Sequence, residues 1–315
     1  MLNIVFMGTP DFAKESLESI YNAGHNIMAV VTNPDRPKGR GMKMIASPVK
    51  EFAIEKNIPV LQPNKIREIE DELIKLKPDL FCVVAYGKIL PQDILDIPKL
   101  GSINVHGSLL PKYRGAAPIQ WAVINGDKTT GITTMYMDAG MDTGDMILKK
   151  EVEIGEDETT GANLLVETVE QIEKGTAPRM PQTGTATMAP MLNKEIAKID
   201  WQNKNMLEIK NLVRGLNPIM GAYSMLQGKK LKVWKVEIQK LENFIKKHQE
   251  FETEKSRVEK LEPGTIIYID SKEGVYIKAK DGIVILHEVQ AENSRRMTIS
   301  EYLNGNQMQA GQIFE

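Results

Sequence analysis

The chain of 315 residues contains few of the residues that mark metal-binding, disulfide-rich or membrane proteins. It has one cysteine, Cys82, and four histidines, so it cannot form an internal disulfide, and no His/Cys cluster has metal-ligand spacing. Its apolar runs are shorter than the about 20 residues that span a bilayer, and residues 1–7 are too short for a secretion signal. We therefore expect a cytoplasmic protein with no metal and no membrane partner.

Two common nucleotide-binding motifs are also missing. The first predicted strand, at residues 2–7, ends in Gly8-Thr9-Pro10 rather than in G-x-G-x-x-G, and no Walker-type G-x-x-x-x-G-K-[ST] occurs. A dinucleotide site is disfavoured because the glycines that let a pyrophosphate approach the backbone are absent. The N–H groups of residues 8–10 could bind an anion at a helix N-terminus, but an ordinary tight turn is the simpler interpretation.

The net charge of the whole chain is close to zero, but its two parts carry net charges of opposite sign. The 40 Lys and Arg against 42 Asp and Glu exclude a chain coated uniformly in positive charge. Residues 1–200 carry a net charge of −5 and residues 201–315 a net charge of +3. Within residues 204–235 there are seven basic residues and one acidic residue, which indicates either a phosphate-binding face or a solvated lysine-rich surface.

The apolar segments predict two domains. In the N-terminal half, β-rich segments alternate with helical ones, with strands expected at 2–7, 26–31, 58–61, 79–85, 101–105 and 130–137. This alternation is typical of an α/β, Rossmann-like, doubly wound domain, which binds ligands beyond the carboxyl ends of its strands. After residue 230, short strands separated by turn signals predict a small C-terminal β-barrel of the OB-like kind.

Three segments fit neither pattern. We predict an irregular loop at 33–47, a linker-like stretch at 175–190 and a charged, solvated insertion, either helical or mobile, at 240–262. The predicted domain boundaries place an N-terminal domain at 1–189, a linker at 190–206 and a C-terminal domain at 207–315.

Candidate catalytic residues follow two of the predicted strands. Asn104 and His106 are two residues apart at a strand end, so their side chains lie on the same face. Asp142 lies in a glycine-containing loop and could orient that histidine. An amide that stabilises an oxyanion and a His/Asp pair that moves protons suit acyl transfer to an amine, and no Ser or Cys is arranged as a nucleophile. The alternative is a structural role for His106; the other three histidines, His25, His248 and His287, are expected to be structural or surface residues.

A family resemblance covers nearly the whole chain. The motifs that carry it are Gly8-Thr9-Pro10-Asp11-Phe12-Ala13, the Pro-Asp-Arg-Pro-x-Gly-Arg-Gly loop at 34–41, and the stretches at 47–50, 84–91, 104–120, 138–145, 199–201, 214–218 and 233–234. They closely resemble the methionyl-tRNA formyltransferases. The Asn/His/Asp set and the S-L-L-P run are shared by all 10-formyltetrahydrofolate-dependent formyltransferases, whereas the first two motifs and the C-terminal domain indicate the tRNA enzymes.

The resemblance implies transfer of a formyl group from 10-formyltetrahydrofolate to the α-amino group of methionine on initiator Met-tRNA, for translation initiation, by a monomeric enzyme. It implies that Asn104 polarises the formyl oxygen and that His106 and Asp142 assist proton transfer. The residues that it implies for folate binding are Val83, Lys88, Ile89, Leu90, Ser108, Leu109, Leu110, Pro111, Gly140 and Met141.

The resemblance also implies two regions that bind tRNA. The loop at 33–47 would enter the acceptor-stem region, and the C-terminal domain would bind the inner side of the tRNA. The implied contact residues are Arg36, Lys38, Arg40 and Lys43 in the loop, and Lys204, Arg214, Lys229, Lys230 and Lys232 in the C-terminal part.

Two other hypotheses remain open from the sequence. The chain could formylate a small amine, such as a glycinamide ribotide or an amino sugar, although the basic loop and the C-terminal domain would then lack a purpose. It could also be a non-catalytic RNA-binding protein, although the intact Asn104, His106 and Asp142 argue against this.

Overall fold

The computed structural model describes residues 1–38, 43–155 and 164–315, which form two compact units. The first unit comprises Met1–Pro118 and Lys128–Pro190, and the second comprises Ile119–Asp127 and Met191–Glu315. The second unit thus includes a short segment that the sequence-based boundaries place in the N-terminal domain. No helix in the described ranges has the length and apolar character needed to cross a bilayer.

The first unit is built on a seven-stranded sheet with the order β5-β2-β1-β6-β7-β8-β9. The first five strands in this order are parallel, whereas β8 and β9 are antiparallel additions at one edge. The strands are β1 (Asn3–Gly8), β2 (Asn26–Val31), β5 (Val60–Leu61), β6 (Leu80–Val84), β7 (Ser102–His106), β8 (Thr129–Tyr136) and β9 (Met146–Glu153). The helices are α1 (Asp11–Asn22), α2 (Pro48–Glu55), α3 (Glu70–Leu76), α4 (Gln92–Leu95) and α6 (Leu164–Glu173), with a 3₁₀ helix at Ile66–Ile69.

The central strand β6 is buried on both faces of this sheet. Leu80, Cys82 and Val84 pack in one apolar cluster, and Phe81 and Val83 pack in a second one. Because neighbouring side chains of a strand point to opposite faces, a strand covered on both sides is apolar at every position. This burial explains the unbroken apolar run in the sequence, and the α/β prediction for the N-terminal domain is confirmed.

The carboxylate of Asp79 links the start of β6 to the start of β1. Its Oδ2 accepts a hydrogen bond from the Asn3 N–H at 2.9 Å, and the Lys99 Nζ lies 3.2 Å from its Oδ1. The hydrogen bond from Asn3, with a smaller contribution from Lys99, lowers the pKa of Asp79 below its ordinary value.

We expect Asp79→Ala to lower the free energy of unfolding by about 1–2 kcal/mol at neutral pH. The pKa of Asp79 is lower in the folded state than in the unfolded state. Its stabilisation is therefore present above the unfolded-state pKa and is lost as the pH falls through the folded-state pKa. Urea unfolding of both proteins at neutral and acid pH tests this expectation, with Glu15→Ala on the exposed face of α1 as a control. A stability difference that persists undiminished in acid would contradict it.

Two segments of the first unit are more ordered than the sequence predicts. Within the predicted irregular loop, β3 (Arg36–Lys38) and β4 (Lys43–Ile45) pair as an antiparallel two-stranded sheet. The stretch at 175–190 is not a linker, because it pairs with the first unit through the bridges Met146–Met180 and Arg114–Met188. The loop interpretation was wrong because two short segments close in the chain pair with each other. The linker interpretation was wrong because Met180 and Met188 pair with residues distant in the sequence.

The second unit contains an antiparallel sheet with the order β10-β11-β14-β13-β12, and β15 pairs with β14. The C-terminal residues 313–314 form bridges to Thr265 beside β12 and to Leu226 of β10, the two edge strands. This confirms the prediction of a separate small β domain. Its strands are β10 (Ala222–Leu226), β11 (Lys229–Gln239), β12 (Ile266–Asp270), β13 (Gly274–Lys278), β14 (Ile283–Ala291) and β15 (Met297–Thr298). Its helices are α5 (Pro118–Ile124), α7 (Met206–Leu216), α8 (Leu241–Lys247), α9 (Lys255–Glu259) and α10 (Ile299–Leu303), with a 3₁₀ helix at Gln249–Glu254. The first residue of α5, Pro118, belongs to the first unit.

The charged insertion at 240–262 is folded and packed. It forms α8, the 3₁₀ helix and α9, and it buries Phe244, Ile245 and Val258 in a cluster with Tyr276 and Ile285 of the sheet. The prediction of a solvated segment was therefore wrong for one face, because a few apolar residues spaced among many charges are enough to anchor short helices.

Candidate active site

The candidate site lies at the carboxyl ends of the parallel strands in the first unit. The chain order of the strands reverses between β1 and β6, which is where doubly wound sheets bind ligands. Next to β6 lies β7, in register through the pairs Val83–Asn104 and Val84–Val105. The segments that follow β6 and β7 therefore leave the sheet side by side.

His106, the last residue of β7, is 5% exposed and contacts hydrogen-bond acceptors at both ring nitrogens. Its Nε2 lies 2.8 Å from the carbonyl oxygen of Tyr113, and its Nδ1 lies 3.5 Å from Oδ2 of Asp142. A carbonyl oxygen only accepts, so Nε2 carries a proton and donates a hydrogen bond to the Tyr113 carbonyl oxygen. The Nδ1 is then the nitrogen that can take up and release a proton, and the Asp142 carboxylate stabilises the charge that results.

Asp142 is held in place by its own loop and by a neighbouring turn. Its backbone has a φ of +54°, in the left-handed region, and its Oδ2 accepts a hydrogen bond from the Gly115 N–H at 2.8 Å. Within the loop, the Asp138 carboxylate accepts hydrogen bonds from the Gly140 N–H and the Thr143 hydroxyl. A side chain at Gly144 would collide with the Tyr136 carbonyl oxygen, which accounts for that glycine.

Gln182 provides the other contacts of this loop. Its Nε2 donates to the backbone carbonyl oxygens of Asp142 at 2.8 Å and of Gly144 at 3.0 Å. Its Oε1 accepts from the Arg114 guanidinium at 2.6 and 3.0 Å. Sequence reasoning missed both roles, because Gln182 lies in a stretch interpreted as a linker and Arg114 was noted only as part of a motif.

Asn104 lies on the same face of β7 as His106 and is partly exposed. Its side-chain amide makes no hydrogen bond to the residues in the ranges 1–38, 43–155 and 164–315. A half-buried amide that the surrounding chain leaves unpaired can donate to a ligand oxygen without first breaking an internal hydrogen bond. Asn104, His106 and Asp142 therefore offer an oxyanion donor beside a proton-transfer pair.

The residues predicted to bind folate lie on three parts of the chain, namely the end of β6 with the segment after it, the turn after β7, and the Asp142 loop. After β6, Val83 and Leu90 are buried in one cluster with Tyr86, while Ile89 is 87% exposed. The Lys88 Nζ donates to the carbonyl oxygens of Pro63 and Asn64, and desolvation lowers its pKa.

The turn after β7 is braced by the neighbouring strand. Thr133 accepts from the Leu110 N–H and donates to the Ser108 carbonyl oxygen, and the Ser108 hydroxyl donates to the Lys112 carbonyl oxygen. Leu110 is buried, whereas Leu109 and Pro111 are partly exposed, and Gly140 and Met141 are exposed in the Asp142 loop. Apolar surface next to fixed polar groups is what a flat heterocycle requires.

The basic residues predicted to bind RNA have different environments. In β3, Arg36 is exposed, whereas Arg40 and the side chains of Lys38 and Lys43 lie outside the described residues. In the second unit, Lys229 is exposed and the Lys230 Nζ lies 3.6 Å from the centre of the Tyr223 ring. Three further candidates are partly buried: the Lys232 Nζ donates to the Met220 carbonyl oxygen, Arg214 lies beside Asn211, and Lys204 follows a turn.

Comparison with known proteins decides the family. Residues 2–179 match the formyl transferase family and residues 191–307 match the formyl transferase C-terminal domain. The chain is 48% identical to the methionyl-tRNA formyltransferase of Acetivibrio thermocellus and 47% identical to that of Clostridioides difficile, with 99% of this chain and 99% of each relative covered. The chain belongs to the methionyl-tRNA formyltransferase family. The resemblance that the sequence motifs indicated is thus confirmed.

Solved structures agree on the fold of this formyltransferase family. HypX from Aquifex aeolicus in complex with tetrahydrofolic acid has a TM-score of 0.64 at 16% identity, covering all of this chain, which spans about half (51%) of HypX. The methionyl-tRNA formyltransferase from Clostridium thermocellum has a TM-score of 0.54 at 16% identity, covering 76% of this chain and 94% of that chain. At such identities the likeness concerns the fold alone.

Proposed function

We propose that this chain transfers the formyl group of 10-formyltetrahydrofolate to the α-amino group of methionine on initiator Met-tRNA, for translation initiation. The observation that carries the proposal is the similarity to methionyl-tRNA formyltransferases over 99% of both chains. The Asn104 amide, which no described residue pairs with, lies on the same strand face as the His106 of the His106–Asp142 pair and supports it, because these groups match the chemistry of acyl transfer to an amine.

The reaction forms a bond between the amine nitrogen and the formyl carbon and breaks the bond between that carbon and the folate nitrogen. The co-substrate supplies the formyl carbon, and the proton that the amine loses goes to the departing nitrogen. Asn104 donates a hydrogen bond to the formyl oxygen, where negative charge develops. His106 takes up and releases the proton at Nδ1, and Asp142 stabilises the imidazolium.

The folate group is proposed to lie against the segment after β6, the turn after β7 and the Asp142 loop. Buried Val83 and Leu90 and exposed Met141 offer apolar contacts, and backbone groups near Lys88 and Leu90 offer hydrogen bonds. The segment at 33–47, with exposed Arg36, is proposed to contact the acceptor stem, and Lys229 and Lys230 to contact phosphates. We propose a monomeric, cytoplasmic enzyme that needs no metal.

The direct test is a formylation assay with purified protein, 10-formyltetrahydrofolate and charged initiator tRNA. We expect formyl-methionine after deacylation of the tRNA, and none when the folate is omitted or when the tRNA is uncharged. Because phosphate contacts release counterions, we expect the KM for tRNA to rise steeply with salt while the KM for folate changes little.

The two remaining hypotheses predict different outcomes of the same assay. Product with glycinamide ribotide or an amino sugar, but none with Met-tRNA, would favour a small-amine formyltransferase. Binding of tRNA without turnover of any amine would favour a non-catalytic RNA-binding protein. Either result would contradict the proposed function.

A further inference from the structure

We propose that Gln182 is a positioning residue that holds the Asp142 carboxylate against His106. The proposal rests on the proposed function, because it assigns to Gln182 an effect on the same formyl transfer. Among the described residues no hydrogen bond joins Gln182 to His106, and Gln182 acts through the loop that carries Asp142 and through Arg114 of the neighbouring turn.

The amide of Gln182 has no spare hydrogen-bonding capacity. It has two N–H donors and an oxygen with two lone pairs. The donors bind the Asp142 and Gly144 carbonyl oxygens, and the oxygen binds the Nε and one terminal nitrogen of Arg114. Two carbonyls on one side and a guanidinium on the other fix the orientation of the amide, so no other side chain of this size reproduces all four bonds.

The Asp142 loop needs support from outside itself. A non-glycine residue at a φ of +54° is in a conformation that costs free energy unless the surroundings hold it. The contacts within the loop involve Asp138, Gly140 and Thr143, and none of them binds the Asp142 carbonyl oxygen. In the described chain, Gln182 supplies that bond.

The turn at 113–115 contacts His106, Asp142 and Gln182. The Tyr113 carbonyl oxygen binds Nε2 of His106, the Arg114 side chain binds Gln182, and the Gly115 N–H binds the Asp142 carboxylate. A side chain at Gly115 would collide with the Ala189 carbonyl oxygen, so the Gly115 N–H is held by close backbone packing. Gln182 therefore completes a ring of contacts that sets the distance between Asp142 and His106.

The test is a double-mutant cycle with Gln182→Leu, which removes all four hydrogen bonds and keeps the side chain's approximate size. In the otherwise unchanged enzyme we expect kcat to fall about 30-fold, with the KM values for folate and tRNA changed less than about twofold. In an Asp142→Ala background the same substitution is expected to lower kcat by less than about threefold, because the group that it positions is already absent.

Two further variants separate the hydrogen bonds from the side chain's bulk. Gln182→Glu keeps the acceptor for Arg114 but cannot donate to the two carbonyl oxygens, and we expect it to lose as much kcat as the leucine variant. Thr183→Ala changes the exposed neighbouring residue and is expected to leave kcat unchanged. Thermal unfolding of each variant measures the folded fraction, by which each kcat is corrected.

An equal fall of kcat in both backgrounds would overturn the positioning role, because a purely structural defect does not depend on Asp142. A wild-type kcat for Gln182→Leu would overturn it as well. Failure of the proposed function has a different signature, namely that the unchanged protein forms no formyl-methionine on tRNA.

Discussion

Asn104→Ala is expected to lower kcat by about 100-fold or more, because the transition state loses the hydrogen bond to its developing oxyanion. The side-chain amide of Asn104 has no hydrogen-bond partner in the described chain, so its removal breaks no internal bond. We therefore expect an unchanged free energy of unfolding and nearly unchanged KM values. Steady-state kinetics with Met-tRNA and urea unfolding measure these quantities.

Asn104→Asp makes this test sharper. The aspartate has the same shape but replaces the N–H donor by a charged acceptor, so we expect a loss at least as large as that of the alanine variant. Asn22→Ala, at the exposed end of α1, is the matched control and should retain full turnover. Near-normal kcat for both Asn104 variants would refute the assigned oxyanion donor.

His106→Ala is expected to lower kcat by about 100-fold or more through loss of acid–base catalysis. This variant also removes the hydrogen bond from His106 Nε2 to the Tyr113 carbonyl oxygen. We therefore expect it to lower the free energy of unfolding by about 1–3 kcal/mol. Single-turnover rates at saturating substrates, corrected for the folded fraction, separate the chemical effect from the loss of stability.

His25→Ala is the control for that loss of stability. His25 is 8% exposed, similar to His106, and its Nδ1 accepts a hydrogen bond from the Leu2 N–H at 3.3 Å. We expect the His25 variant to lose a comparable amount of stability but to keep its kcat. If both histidine variants lost kcat equally, the assignment of proton transfer to His106 would be untenable.

The candidate site was only partly predictable from the sequence. The spacing of Asn104 and His106 predicted one shared strand face because side chains alternate along a strand, and β7 (Ser102–His106) has that geometry. The sequence could not indicate that Nε2 of His106 faces a backbone carbonyl, which leaves Nδ1 as the nitrogen that faces the Asp142 carboxylate. Backbone acceptors carry no sequence signal, since every residue has one.

The long-range contacts of the site were the least predictable part. Gln182 follows Asp142 by 40 residues in a Thr- and Pro-rich stretch without helical or strand periodicity. Similarly, the many charged residues at 240–262 predicted a solvated segment. The burial of Phe244 and Val258 was not predictable, because it requires the sheet against which they pack. The composition of a short segment indicates only the secondary structure that the segment itself prefers, whereas the positions of these residues are set by contacts with distant segments.

The sequence by itself determined the family, the alternating α/β pattern of the first domain and the separate β domain, and it predicted Asn104, His106 and Asp142 as candidate catalytic residues. The periodic spacing of apolar residues and short motifs are local properties, so they can be identified directly in the sequence. The tertiary structure alone decided the antiparallel edge formed by β8 and β9, the packing of the charged insertion and the contacts of Gln182 around Asp142. The packing of the insertion and the contacts of Gln182 join segments far apart in the chain, and β8 becomes part of the sheet only by pairing with β7, so these contacts form only when folding brings the segments together.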